Sequence, residues 1–199
     1  MIKAIFFDVG GVLEVAPATD WRQRWSRRLG RRLAEFQVLL DELWTPGATG
    51  AQTLAEIERR TAKALCLDAE ALKELMHDAW TEYLGTLNDE LAEVVRGLQP
   101  RYLTGTISNS FVGAREREQA AYGFENLFDV LVYSHEVGCL KPDPRIYRLA
   151  CEQLDVLPAE AVLVDDLEAN VRGARALGMA AIHYTDNAQT IGELHAITT

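Results

Sequence analysis

The chain lacks an excess of positive charge, any long apolar run and any close cysteine pair, and each absence closes off a class of function. Its 199 residues carry 20 Lys and Arg against 30 Asp and Glu, a net charge of -10. Such a surface repels the phosphates of nucleic acid and the headgroups of anionic lipid, so neither is an expected partner. No apolar run approaches the roughly 18 residues of a membrane-spanning helix. The first β-branched and aromatic run begins at Ile2, which leaves no room for a signal peptide and predicts a cytoplasmic protein. Cys66, Cys139 and Cys151 are odd in number and far apart, unlike zinc or redox sites, and read as buried or incidental thiols. One more scarcity is local. In Ile5-Phe6-Phe7-Asp8-Val9-Gly10-Gly11-Val12-Leu13, the aspartate is followed two positions later by glycine rather than by a second carboxylate.

What is present is the composition of an ordinary globular protein, 48% hydrophobic and 25% charged, long enough for one substantial core and a small second one. Short β-branched and aromatic runs at 2–8, 102–107, 130–133, 161–164 and 180–184 alternate with helical patterns at 89–98, 112–122, 144–154, 169–177 and 190–196. That alternation predicts an α/β, Rossmann-like fold: five parallel strands in the order third, second, first, fourth, fifth, with helices on both faces. Residues 15–87 break it. They show no convincing strand, and Trp21, Trp25, Leu29 and Leu33 recur every four residues, with Leu54, Ile57, Leu65, Leu72, Leu75 and Ala79 continuing the helical pattern. Pro46-Gly47 and Thr49-Gly50 interrupt the stretch. The expected organisation is a catalytic core of residues 1–14 and 88–199 with an all-helical cap inserted at 15–87. Of the 20 basic and 30 acidic side chains, 10 and 11 fall in that insertion, so the acidity belongs to the core. Six arginines between Arg22 and Arg32 form either an anion-gathering rim or, more simply, a solvated face paired with acids of neighbouring helices.

In an open parallel sheet, ligands bind beyond the carboxyl ends of the strands. Asp8 ends the first strand, Ser108 the second and Asp165-Asp166 the fourth, while Lys141 lies on the loop after the third. Singly, each has an ordinary explanation: Asp165-Asp166 and Ser108-Asn109-Ser110 suit helix N-caps, and Lys141 before Pro142 suits a turn. Jointly, a carboxylate nucleophile, a hydroxyl, a cation and a pair of acids are what a metal-assisted substitution on an anionic substrate requires. His77, His135, His183 and His195 show no metal spacing.

With these residues in place the chain resembles the haloacid dehalogenase superfamily, most closely its phosphatase-like members with a helical cap after the first strand. FFDVGGVL, TISNS, LKPDPRIY and VLVDDLEANVRGA match its four motifs in order, across nearly the whole chain. The resemblance implies that Asp8 attacks phosphorus to form an aspartyl-phosphate, and that Asp8, the Gly10 carbonyl and Asp166 hold Mg²⁺, with Asp165 assisting. It implies that Ser108 and Lys141 engage the transferring group, with Asn109 and the backbone of Val9, Gly10 and Gly11 around the phosphate. The substrate would be a small phosphorylated metabolite, and the assembly a monomer or homodimer. Gly10 departs from the familiar phosphatase members, in which an aspartate protonates the leaving group. Glycine also occurs there in similar sugar-1-phosphate phosphatases with a KPxxRIY and DDxxxN pattern. The expectation is a phosphatase favouring good leaving groups, with Glu14 a weak candidate for the missing acid. A metal-independent 2-haloacid dehalogenase and a phosphate-ligand or partner-binding protein of weak or no activity remain open alternatives.

Overall fold

The structure, a computed structural model, describes residues 1–198. The chain opens with β1 (Ala4–Phe7), followed by the two-residue strand β2 (Glu14–Val15). Four helices come next: α1 (Trp21–Arg28), α2 (Leu33–Ala48), α3 (Leu54–Leu65) and α4 (Ala69–Leu84). Strand β3 (Thr86–Leu87) returns antiparallel against β2. The remainder alternates: α5 (Asp89–Leu98), β4 (Leu103–Ser108), α6 (Ala114–Tyr122), α7 (Phe124–Leu127), β5 (Val130–Tyr133), α8 (Ser134–Val137), α9 (Pro144–Gln153), a 3₁₀ turn (Pro158–Glu160), β6 (Ala161–Asp165), α10 (Glu168–Leu177), β7 (Ala180–His183) and α11 (Asn187–Thr198).

The main sheet has the order β5-β4-β1-β6-β7, and every pairing in it is parallel. All four residues of β1 are buried, because helices cover both faces of a parallel sheet. Successive side chains point to opposite faces. Ile5, Phe7, Val162 and Val164 therefore pack on one side with Leu91, Val95 and Leu194, while Ala4, Phe6 and Leu163 pack on the other with Ile146, Ala150 and Ala174. The register sets Phe7 beside Thr106 and Val164, which brings the carboxyl ends of β1, β4 and β6 to one edge.

Helices α1 to α4 enclose a separate core of Trp21, Trp25, Phe36, Leu40, Leu65, Leu75, Met76 and Trp80. Thr53 starts α3 with a capping box, its hydroxyl accepting from the Glu56 amide while Glu56 accepts from the Thr53 amide. The unit is seated on the carboxyl edge of the sheet. The Val112 amide donates to Gly47 O at 3.1 Å, Ser134 Oγ to Ala48 O at 2.7 Å, and the Tyr122 hydroxyl to Leu84 O at 2.9 Å.

Three local details differ from the periodicity. Helix α1 stops at Arg28, so Leu29 is its cap and Leu33 begins α2 as an exposed residue; Gly30, at φ +63, turns the chain between them. Pro46-Gly47 lies inside the last turn of α2, and the break falls after Ala48. The β2–β3 ribbon went unread because two residues carry no alternation to detect.

Candidate active site

Asp8 follows β1 directly, its amide bonded to Val164 O at 2.8 Å, and its side chain is almost wholly buried at the carboxyl edge of the sheet. Lys141, from the loop between α8 and α9, reaches it with Nζ 2.7 Å from Asp8 Oδ1 and 2.6 Å from Asp165 Oδ2. Two features hold that lysine. The Asn109 amide group clamps its main chain, Nδ2 donating to Lys141 O at 3.0 Å and Oδ1 accepting from Lys141 N at 2.7 Å. Asp165 accepts the ammonium, and is itself held by the Leu167 amide at 2.9 Å and by Asn170 Nδ2 at 3.0 Å. Asn170 lies in the first turns of α10, within reach of the end of β6.

Asp166 is half-buried, and its main chain is anchored by His183, whose Nε2 donates to Asp166 O at 2.8 Å. One carboxylate oxygen from each of Asp8, Asp165 and Asp166 lies within 4.8 Å of the others. Ser108 closes β4 beside Tyr133 and is 2% exposed. Thus Asp8, Ser108, Lys141, Asp165 and Asp166 occupy one edge of the sheet, as the motif order suggested, while the Asn109 side chain is spent on Lys141. The loop amides also differ from expectation. The Val9 amide donates to Asp8 Oδ1 at 2.7 Å and the Gly11 amide to Glu14 O at 2.9 Å, because the loop folds back on itself with Leu13 and Glu14 amides on Val9 O. Gly10 remains exposed.

Electrostatics follow from this crowding. Burial pushes the Asp8 carboxyl up to about 7, with the Asp165 charge adding to the rise and Lys141 opposing it. Burial and then Asp165 also raise Asp166. Three carboxylates face one ammonium, all with hard oxygen donors on the acidic side. That donor set fits a divalent cation such as Mg²⁺.

A second acidic group lies beneath the helical unit. Glu14 is 1% exposed; burial pushes it up to about 9, with contributions from Glu118 and Asp8. Glu118, fully buried on α6, is raised to about 7 by burial, opposed by the Tyr133 hydroxyl, which donates to it at 2.5 Å, and by Tyr83 and Arg115. Glu118 and Tyr133 carried no sequence signal, since a single acid or tyrosine in a helix or strand reads as surface, while Tyr83 was open between pocket lining and helical core. Asn170 did carry one: it is the asparagine of DDxxxN.

The arginine-rich helix is resolved in favour of pairing. Arg22, Arg24 and Arg28 of α1 meet Glu82, Asp78 and Glu74 of α4 at 3.0, 3.1 and 2.6 Å.

Among known proteins, the chain is 31% identical over 183 residues to (S)-2-haloacid dehalogenase 1 of Pseudomonas sp. (strain CBS-3), covering 88% of this chain and 73% of that one. It is 28% identical over 197 residues to the phosphatase MT3486 of Mycobacterium tuberculosis (strain CDC 1551 / Oshkosh), covering 95% and 90%. A HAD family enzyme from Bacteroides thetaiotaomicron, solved in complex with magnesium and inorganic phosphate, superposes with a TM-score of 0.79 at 22% identity over 94% of this chain and 96% of that one. The haloacid dehalogenase-like hydrolase family itself matches residues 2–178, from β1 to the end of α10. With the match spanning the whole sheet except its last strand, the chain belongs to the haloacid dehalogenase-like hydrolases.

Proposed function

We propose that this hydrolase is a Mg²⁺-dependent phosphatase of small phosphorylated metabolites, working through an aspartyl-phosphate on Asp8. The observation that carries the reading is the convergence of Asp8, Asp165 and Asp166 on one point with a single buried lysine among them. The phosphatase relative and the magnesium and phosphate in the Bacteroides structure support it. In the first half-reaction an Asp8 carboxylate oxygen attacks phosphorus, and the bond to the leaving oxygen breaks with its electron pair. In the second, water attacks the same phosphorus, and Asp8 is released with inorganic phosphate. Lys141 balances the charge of Asp8 and of the transferring group, and Ser108 donates to a phosphate oxygen. We assign Asp165 and Asn109 to positioning Lys141. When bound between Asp8, Asp166 and the Gly10 carbonyl, Mg²⁺ supplies charge neutralisation for the developing phosphoryl oxygens. Residues 15–87 act as a cap over this edge, excluding bulk water and setting specificity.

Gly10 offers no proton to the leaving group. General acid-base help is typically worth about 10² to 10⁴ in rate, so leaving groups that depart without protonation are favoured. The decisive experiment is hydrolysis of p-nitrophenyl phosphate with and without Mg²⁺ in wild type and Asp8→Asn. Metal-dependent turnover that vanishes in Asp8→Asn is expected, with a burst if the second half-reaction is slow. The likeness to a haloacid dehalogenase favours one other reading, metal-free displacement of halide by Asp8. Chloride release from 2-chloropropionate without metal, and no phosphatase activity, would establish it instead.

A further inference from the structure

Beneath the cap helices lies a cavity of about 360 Å³ lined by Trp21, Trp44, Trp80, Tyr83 and Phe111, with Arg22 and Glu82 at its polar side. Its size is that of a small-molecule pocket. The rings form a continuous wall: Trp21 stacks on Trp44 with centroids 5.8 Å apart, Trp44 meets Phe111 at 5.9 Å, Phe111 meets Trp80 at 5.8 Å, and Trp80 meets Tyr83 at 5.2 Å. Asp8 does not line this cavity, but two of its walls lead to the reacting edge. Phe111 stands three residues after Ser108 on the same loop, and the Tyr83 hydroxyl lies within the fields of Glu118, Glu14 and Asp8.

The charged groups of the cavity are already committed to one another. Glu82 accepts from the Thr19 hydroxyl at 2.5 Å, from Trp21 Nε1 at 3.1 Å and from Arg22 at 3.0 Å. Arg22 also lies over the Trp21 ring at 4.6 Å. A sugar placed here would meet one free donor, Trp80 Nε1, and would bury its other hydroxyls without partners, at about 1–3 kcal/mol each. A second phosphate would find its one cation neutralised. The polar atom left over is Trp80 Nε1, buried without a partner among the described residues, on a side chain 9% exposed. Flat apolar rings lose nothing in such a place and gain offset stacking worth about 0.5–1.5 kcal/mol per ring pair.

We infer that the substrate is the monophosphate ester of a phenol or other aromatic ring hydroxyl, with its ring system held among Trp21, Trp44, Trp80, Tyr83 and Phe111 while its phosphate meets Asp8. This rests on the phosphatase reading and narrows it. An aryl leaving group also departs as an oxyanion without a proton, in keeping with the glycine at position 10.

The test compares 2-naphthyl phosphate with phenyl phosphate, whose leaving groups are of nearly equal acidity but different ring area, and both with glucose 1-phosphate, at saturating Mg²⁺. The expected result is a KM for naphthyl phosphate about tenfold below that for phenyl phosphate at similar kcat, and a kcat/KM at least tenfold above that for glucose 1-phosphate. In Trp44→Ala and in Phe111→Leu, the latter keeping bulk without a ring, the naphthyl-to-phenyl KM ratio should close to within about twofold. Equal KM values in wild type, or a preference for glucose 1-phosphate, would overturn the inference and leave the phosphatase reading standing. Should no ester be hydrolysed, the phosphatase reading fails. The cavity is then decided by tryptophan fluorescence: saturable quenching by 2-naphthylmethylphosphonate, absent with methylphosphonate and weakened in Phe111→Leu, supports the aromatic site, and no quenching refutes it.

Discussion

At position 10 an added Cβ would meet nothing within 4 Å, whereas at position 11, with φ +78, it would meet Asp166 Oδ2 at 2.5 Å. The two adjacent glycines therefore have different reasons to be glycine. Gly11 is required by the backbone and by the approach of Asp166. Gly10 is not, so its lack of a side chain is a chemical choice rather than a steric one. Gly10→Asp should fold normally and speed hydrolysis of an unactivated alkyl phosphate by about tenfold or more, a sizeable part of the usual acid-base contribution, as read by phosphate release. Gly11→Ala should weaken the Mg²⁺ dependence by displacing Asp166, seen as a rise in the metal concentration for half-maximal activity. Lys141 is a buried cation between two carboxylates, so Lys141→Met leaves Asp8 and Asp165 without their counter-charge. We expect a loss of about 3–5 kcal/mol in unfolding free energy by denaturant titration.

Among the elements, α1 and α4 show how charge is spent. Their ladder of Arg–Glu and Arg–Asp pairs is largely exposed, and exposed pairs are worth roughly 0–1 kcal/mol each. The ladder ties α1 to α4 and pairs three of the six arginines between Arg22 and Arg32. The stability of the four-helix unit instead comes from its tryptophan-rich core and from the helix ends. Thr53→Ala removes the capping box of α3 and should cost about 1 kcal/mol, measured as a lower denaturation midpoint with an unchanged slope. The β2–β3 ribbon and the Tyr122 hydroxyl hold the unit at one end, and Val112 and Ser134 hold it at the other.

For the molecule as a whole, buried acids make stability depend on pH in an uncommon direction. Glu118 is raised from 4.5 to about 7 in the fold, facing Tyr133, Tyr83, Glu14 and Arg115. Its folded value lies above its unfolded one, so the native state holds its proton more tightly. Its contribution is fully present below about pH 4.5 and is lost as pH rises through about 7. Glu118→Gln should flatten the fall in unfolding free energy between pH 5 and pH 8, a difference on the order of 3 kcal/mol, by denaturation at each pH. Mg²⁺ acts on the same balance. If it binds the native carboxylates alone, the thermal midpoint should rise with its concentration in wild type and hardly move in Asp166→Asn.

Most of the architecture was legible in the residues. Strands of β-branched and aromatic side chains buried on both faces, spaced by helical periods, leave few ways to build a sheet other than the parallel order observed. Asp8, Ser108, Lys141, Asp165 and Asp166 could be picked out because an open sheet gathers whatever stands at the carboxyl ends of its strands. The rest depended on contacts between residues far apart in the chain. Asn109 and Asp165 were readable as site residues but not as the holders of Lys141. Glu118 and Tyr133, separated by 15 positions, became partners only when α6 packed against the end of β5. For Trp44, Trp80 and Tyr83 the sequence left open whether they fill the core of the helical unit or line a pocket, and the packing sets them with Trp21 and Phe111 around a cavity. Sequence by itself determined the fold and marked which polar groups stand at the carboxyl ends of the strands, because local propensity and strand-end position are one-dimensional properties. Only the tertiary structure decided which polar groups are consumed by neighbours and where space is left among the helices, because hydrogen-bond partnership and empty volume exist only once the elements pack.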